Sequence, residues 1–370
     1  MTRDVGLYFH IPFCARKCAY CDFVSYPGME DAMPAYADAL IAEMGRRAAP
    51  EIRIATAYIG GGTPSLLPPE LMDRLLDAAK RRFCFLPDAE WSCECNPGTV
   101  TEAFLAVLRA HGVNRLSLGA QARQERLLRL LGRIHTWEQV EQSVRLARAA
   151  GFENLNLDLM LGLPTQTVSD VRESLDAALA LQPTHLSCYG LIVEEGTPLH
   201  ARVRAGEWTL PADGEERDMY EACRSILAEN GFEQYEISNF ARPGYTCRHN
   251  TDCWKRREYL GLGCAACGFM GNIRYRNAPS LSGYLAGAPA EEETVSPEEA
   301  RFESVMLGLR MTEGLREEDF VRMHGMTLRA AFGSKMDAPI RDGLLTYENG
   351  VLRLTRRGMD LQNRVLLEFL

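Results

Sequence analysis

Residues 154–161 read NLNLDLML, and no other stretch limits the fold so tightly. The leucines at 155, 157, 159 and 161 fall on one face of a strand, and Asn154, Asn156, Asp158 and Met160 fall on the other. This strand is one of six short apolar runs, at 5–11, 52–59, 90–96, 113–118, 155–161 and 185–193. Helical patterns lie between them at 33–49, 69–83, 101–111, 137–150 and 169–181. Such alternation is the mark of a parallel α/β sheet or barrel. Gly112, Gly151 and Pro183 sit just beyond helix ends, where caps and stops belong. In a βα barrel the helices cover the apolar face, so Asn156 and Asp158 point inward. The same parity puts Glu94 and Asn96 inside with Cys93 and Cys95 outside, and sets Tyr8 and His10 opposite Leu7, Phe9 and Ile11. Polar groups on three inward faces are costly unless they bind something. Six units rather than eight predict an α/β fold built on an incomplete (β/α)6 TIM-like barrel, open on one side to a large ligand.

Beyond residue 196 the texture changes. A helix is predicted over 213–230 and an extended segment over 232–240, which closes a first domain spanning 1–240. Residues 241–295 are rich in Gly, Arg and Asn and poor in periodicity, so they read as a long irregular segment of the functional kind. The last unit, 296–370, shows helices at 297–309, 316–324 and 328–332, a hairpin joining 344–347 to 351–354, and a final helix after Thr355. It reads as a small α+β C-terminal domain resembling a winged helix. A net charge of −9 argues against nucleic acid as the main partner. No apolar run approaches the ~20 residues of a membrane span. The first ten residues show no apolar signal core, so a cytoplasmic location is expected, with membranes reached only through client proteins.

Twelve cysteines in a chain too large to need disulfide staples read as metal ligands, buried thiols or both. Cys14, Cys18 and Cys21 fall within eight residues, on a loop directly after the first strand. Three thiolates so placed can hold one cuboidal iron–sulfur cluster and leave one iron without a protein ligand. An open position is what catalytic metal sites keep. The alternative is a zinc loop with His10 as its fourth ligand. Cys247, Cys253, Cys264 and Cys267 suggest either a four-thiolate site or a pair of half-buried thiols, and Cys84, Cys188 and Cys223 read as core packing. The glycines of Gly60-Gly61-Gly62-Thr63-Pro64 would let backbone carbonyls approach an ammonium group closely.

The run LYFHIPFCARKCAYCDF, residues 7–23, resembles the radical S-adenosylmethionine (SAM) superfamily. ECNPGT, SLGAQ, LGRIH, NLDLMLGLP and QYEISNFA are similar, in order and spacing, to the branch holding the oxygen-independent coproporphyrinogen III oxidases and the HemW heme chaperones. The resemblance implies a radical SAM barrel with a 4Fe–4S cluster on Cys14, Cys18 and Cys21, and SAM on the fourth iron. It implies SAM contacts from Tyr8, Tyr20, Gly61, Gly62, Thr63, Glu94, Gln121, Arg133 and Asp158. Glu94 and Asp158 suit ribose hydroxyls or an ammonium, and Arg133 suits a carboxylate. No catalytic residue is singled out. The segment CRHNTDCW, residues 247–254, resembles the HNxxYW segment that the HemW family associates with heme, with Cys253 where Tyr is usual. GCAACG at 263–268 likewise replaces the usual glycine-alanine-histidine-serine ending. This implies heme as a further ligand, His249 on a flexible loop as its axial ligand, a client hemoprotein and a reducing electron donor. The expected function is heme binding and delivery. The first strand starts at residue 5, without the oxidases' N-terminal extension; porphyrinogen oxidation or another radical SAM reaction such as methyl transfer is the alternative.

Overall fold

The computed structural model describes residues 2–370. Its centre is a run of parallel neighbours: β1 (Arg3–Ile11), β2 (Ile52–Gly61), β3 (Cys84–Cys95), β4 (Arg115–Gln121), β5 (Asn154–Leu161) and β6 (His185–Gly190). The sheet stays open. Past β6 lie the short antiparallel β7 (Glu233–Gln234) and β8 (Asn239–Ala241), with β8 against β6. Past β1 lies β9 (Tyr259–Leu262), parallel to it, followed by antiparallel β10 (Cys267–Met270), β11 (Ile273–Arg276) and β12 (Glu291–Thr294). One sheet of twelve strands results, in the order β12-β11-β10-β9-β1-β2-β3-β4-β5-β6-β8-β7. The leucines of β5 join the main core with the covering helices, among them Trp137–Ala149 and Val168–Ala180.

Residues 241–295 correct the expectation of an irregular segment, because they extend this sheet. Strands of four residues are too short to show alternation, and β11 and β12 (IRYR and EEET) carry few apolar residues. Their pairing is electrostatic as well as hydrogen-bonded: Arg274 faces Glu293 and Arg276 faces Glu291. The segment is fastened by a buried acid, Glu43, on helix Met33–Arg47. Glu43 accepts from the Gly263 N–H at 2.8 Å, the Asn277 amide at 2.7 Å and the Tyr284 hydroxyl at 2.6 Å. β3 likewise starts earlier than its pattern suggests, since its pairing with β2 jumps from Ile54–Phe85 to Thr56–Glu90 across a bulge. Cys84, at the start of that strand, is exposed and does not pack in the core, whereas Cys188 and Cys223 are buried.

The C-terminal unit has its own core, with Phe320, Leu328, Leu344, Leu352 and Val365 at its centre. Helix Pro297–Gly308 leads into β13 (Leu315–Arg316), helices Glu317–His324 and Leu328–Phe332 follow it, and β14 (Leu345–Glu348) and β15 (Val351–Leu354) complete a three-stranded sheet ordered β13-β15-β14. Asn349 and Gly350 both take positive φ, 52° and 71°, as a tight two-residue hairpin turn requires. Among the described residues no helix is long and apolar enough to cross a membrane.

Candidate functional site

The inward faces of β2 to β6 surround a cavity of about 610 Å³, and the loop after β1 forms its rim. That loop is held at three points. Phe13–Cys14 pairs with Tyr26–Pro27, the Ala19 N–H donates to the Leu131 carbonyl at 2.8 Å, and the Ala19 carbonyl accepts from Leu199 N–H at 2.8 Å. Cys14, Cys18 and Cys21 are free, half-buried and all face the cavity. Each of the first two accepts one long hydrogen bond of 3.6 Å, Cys14 from the Thr63 hydroxyl and Cys18 from Arg133 Nη1. Burial pushes the Cys21 thiol up to about 11, so a metal must displace its proton on binding.

The zinc alternative finds no support in this geometry. His10 engages both ring nitrogens, Nδ1 with the Tyr8 hydroxyl at 3.0 Å and Nε2 with the Val24 carbonyl at 2.8 Å. Among the described residues, no three His, Cys, Asp or Glu side chains converge closely enough to hold a single ion. A cuboidal cluster takes each sulfur on a different iron, so it fits thiols that share a cavity without meeting at a point.

Below the rim the walls are polar. Glu94 accepts from the Tyr58 hydroxyl at 2.9 Å and the Gly61 N–H at 3.2 Å. Burial, and then the neighbouring Asp158, raises its carboxyl to about 7, so near neutrality it exchanges a proton readily. Burial also raises Asp158, against the amide of Asn156 at 2.7 Å. Arg133 reaches from residue 133 back into the barrel, where Nη2 donates to Asn96 Oδ1 and to the Gly119 carbonyl, both at 2.8 Å. Gln121 ends β4 with φ +65° and accepts from the Tyr189 hydroxyl at 3.0 Å. Gly62 packs so tightly that a Cβ would lie 2.6 Å from the Phe13 carbonyl. Glycine is therefore required there to seat β2 against the cysteine loop, whatever ligand its carbonyl meets.

Of the residues expected at the site, Tyr20, Gly61, Gly62, Thr63, Glu94, Gln121, Arg133 and Asp158 line this one cavity with the three cysteines. Tyr8 and His249 do not. Tyr8 stands beside Tyr58, ring centroids 6.4 Å apart, and opens onto a smaller depression with His10 and Cys267. His249 corrects the expectation of a flexible loop. It lies in helix Arg248–Trp254, 5% exposed, with Nδ1 3.0 Å from the Thr56 hydroxyl and its ring stacked on Tyr58 at 5.3 Å. Burial, and then the charge of Arg115, depresses its imidazole to about 4 and keeps it neutral. Glu90 fixes this helix, accepting from the Arg248 and His249 N–H groups at 3.0 Å each, a favourable acid at a helix start. Asn250 and Trp254, from the same helix, do face the cavity.

The second cysteine group is dispersed. Cys247 is buried against Glu90, Cys264 donates to the Ala278 carbonyl at 3.4 Å, and Cys267 is exposed. Among the lining residues that escaped the reading of the sequence, along with Tyr58 and Tyr189, is Arg115, at the start of β4. Its signal was parity, since it shares the inward face with Ser117, Gly119 and Gln121.

Comparison with known proteins bears on the family and the fold. The radical SAM superfamily profile matches residues 8–178, and the HemN C-terminal domain profile matches residues 295–361. A heme chaperone HemW of Lactococcus lactis is 37% identical over 374 residues, covering 100% of this chain and 98% of that protein. The heme chaperone HemW of Escherichia coli is 35% identical over 377 residues, covering 99% and 98%. The solved coproporphyrinogen III oxidase (HemN) of Escherichia coli, a radical SAM enzyme, superposes with a TM-score of 0.86 over 100% of this chain and 90% of that one. At 24% identity, that likeness speaks for the fold.

Proposed function

Because the chain belongs to the HemW family of the radical SAM superfamily, we propose that it binds heme and delivers it to client hemoproteins. The family's cofactors are a 4Fe–4S cluster and SAM. In this reading Cys14, Cys18 and Cys21 hold the cluster, and the polar wall beneath them receives SAM. Reductive cleavage of SAM is the chemistry the pair supplies when bound. The chain's own residues bind, orient and shield. Glu94 and Asp158 accept from ribose hydroxyls or the ammonium, and Arg133 pairs with the carboxylate while holding Cys18 in place. Glu94, titrating near neutrality, gives up its proton when a cation settles beside it.

The observation that carries this reading is end-to-end similarity to heme chaperones, across both the barrel and the C-terminal unit. For heme, Asn250 and Trp254 already face the cavity, whereas His249 would hold heme iron only if helix Arg248–Trp254 moved away from Tyr58. The test is anaerobic reconstitution followed by heme titration, transfer to an apo-hemoprotein, and a parallel assay with coproporphyrinogen. A Soret band, transfer of heme and no protoporphyrinogen are expected. Decarboxylation of coproporphyrinogen, or no uptake of heme, would contradict the proposal.

A further inference from the structure

Arg115 is 2% exposed, and its Nε finds no hydrogen-bond partner. Other guanidiniums in the interior are engaged: Arg133 with Asn96 and the Gly119 carbonyl, Arg256 with Glu303 at 2.8 Å. A buried cation with acids in its neighbourhood but no hydrogen-bonded partner of its own is costly for a fold to keep. Glu90 is the acid whose field reaches Arg115 most strongly, yet its oxygens already serve the Arg248 and His249 N–H groups and the Cys247 thiol. The other groups in its field are Glu94, Asp158, Tyr58, Tyr235 and Cys247, none of them hydrogen-bonded to it, together with His185 and His249, both held neutral by burial. Asn156 does not serve it either, because its oxygen accepts from Ser187 at 3.2 Å and pairs with His185 at 2.6 Å. The guanidinium therefore borders the cavity with hydrogen-bonding capacity left over.

We propose that Arg115 is a carboxylate receptor at the base of the cavity, and that it takes one propionate of the bound tetrapyrrole. The proposal rests on the heme reading above. A planar fork matches a carboxylate edge to edge. A phosphate dianion is disfavoured, because Glu90, Glu94 and Asp158 already load the same interior with acid. The cavity also carries the side chains of Tyr58, Met160, Tyr189 and Trp254, broad surfaces for a flat conjugated ring.

The cluster-reconstituted full-length protein is titrated anaerobically with heme, with heme dimethyl ester and, separately, with SAM. Wild type is expected to bind heme at least about tenfold more tightly than the ester, the effect of one charge-assisted pair. In Arg115→Met the two ligands should come within about twofold of each other, while Arg115→Lys keeps most of the preference. SAM affinity should be unchanged in both variants. Equal affinity of wild type for heme and its ester overturns the proposal with no variant needed, and so does a preference that survives in Arg115→Met. A large loss of SAM affinity in Arg115→Met would assign the residue to SAM's carboxylate instead and also overturn it. Heme binding without discrimination removes only the Arg115 proposal. Absence of heme binding removes the chaperone reading and this one with it.

Discussion

The cysteines of the rim and those of the segment 247–267 make an instructive pair. Both groups are close-set in sequence, and both hint at metal. At the rim, Cys14, Cys18 and Cys21 border a common cavity, and two of them have no partner better than a 3.6 Å hydrogen bond. In the other group each thiol has a separate environment. Burial pushes Cys247 up to about 12 and Cys253 to about 12, so both stay protonated, and Cys264 lies up at about 11 for the same reason. Burial raises Cys21 at the rim as far as Cys264, so the two groups differ in position rather than in acidity. Ligands must share a target; spacing alone does not supply one, and the fold decides which group has it.

The largest effect that could break this contrast is on iron content. Replacing any one of Cys14, Cys18 or Cys21 by Ser should remove nearly all reconstituted iron, whereas Cys264→Ser and Cys267→Ser should keep it. Iron and sulfide analysis decides, and retention of the cluster in Cys18→Ser would undo the assignment. Arg133 ties the rim to the barrel wall, so Arg133→Met should weaken SAM binding by about 10–100-fold, the loss of a charge-assisted pair in a buried setting. Equilibrium dialysis measures it.

The pH dependence of SAM binding sharpens the picture of the cavity. Glu94, raised to about 7, contributes stability to the ligand-free protein that is complete below its ordinary range near 4.5 and is lost as pH rises through about 7. A cation beside it favours the ionised form. SAM affinity should therefore rise roughly tenfold from pH 6 to pH 8, as expected for one carboxyl titrating near 7, and the rise should flatten in Glu94→Gln. Calorimetry in buffers of different ionisation enthalpy would show the released proton.

At the base the effect is on stability rather than on iron. His249→Ala removes a ring stacked on Tyr58 and a hydrogen bond to Thr56, at a cost of about 2–4 kcal/mol. Because the folded-state imidazole is depressed to about 4, its contribution is complete above the usual value near 6.5 and lost as pH falls through about 4. Thermal melts from pH 7 to pH 4 should show that slope in wild type and its loss in the variant. The smallest effect belongs to Cys84→Ser, an exposed position, where a change within about 0.5 kcal/mol is expected.

Much of the barrel was legible because its strands are long enough to display parity. The inward placement of Glu94, Asn96, Asn156 and Asp158 follows from alternation alone, and all four line the cavity. β9 to β12 were not legible, since four residues give barely two turns of a two-residue period, and β11 and β12 also carry few apolar residues. His249 misled for another reason. A histidine in a Gly- and Arg-rich stretch looks exposed, but Glu90, 159 residues earlier in the chain, anchors its helix against the barrel. Long-range capping of that kind leaves no local trace. Tyr8 has the right parity, yet its hydroxyl is drawn to His10, and parity cannot say where a side chain's tip will bond.

The account stands on three sulfurs that leave one cluster iron facing the cavity. Mössbauer spectroscopy of the anaerobically reconstituted protein, recorded with and without SAM, tests it most directly. One iron should differ from the other three and shift when SAM is added. Four irons that are alike and indifferent to SAM, or tightly bound zinc in their place, would contradict it.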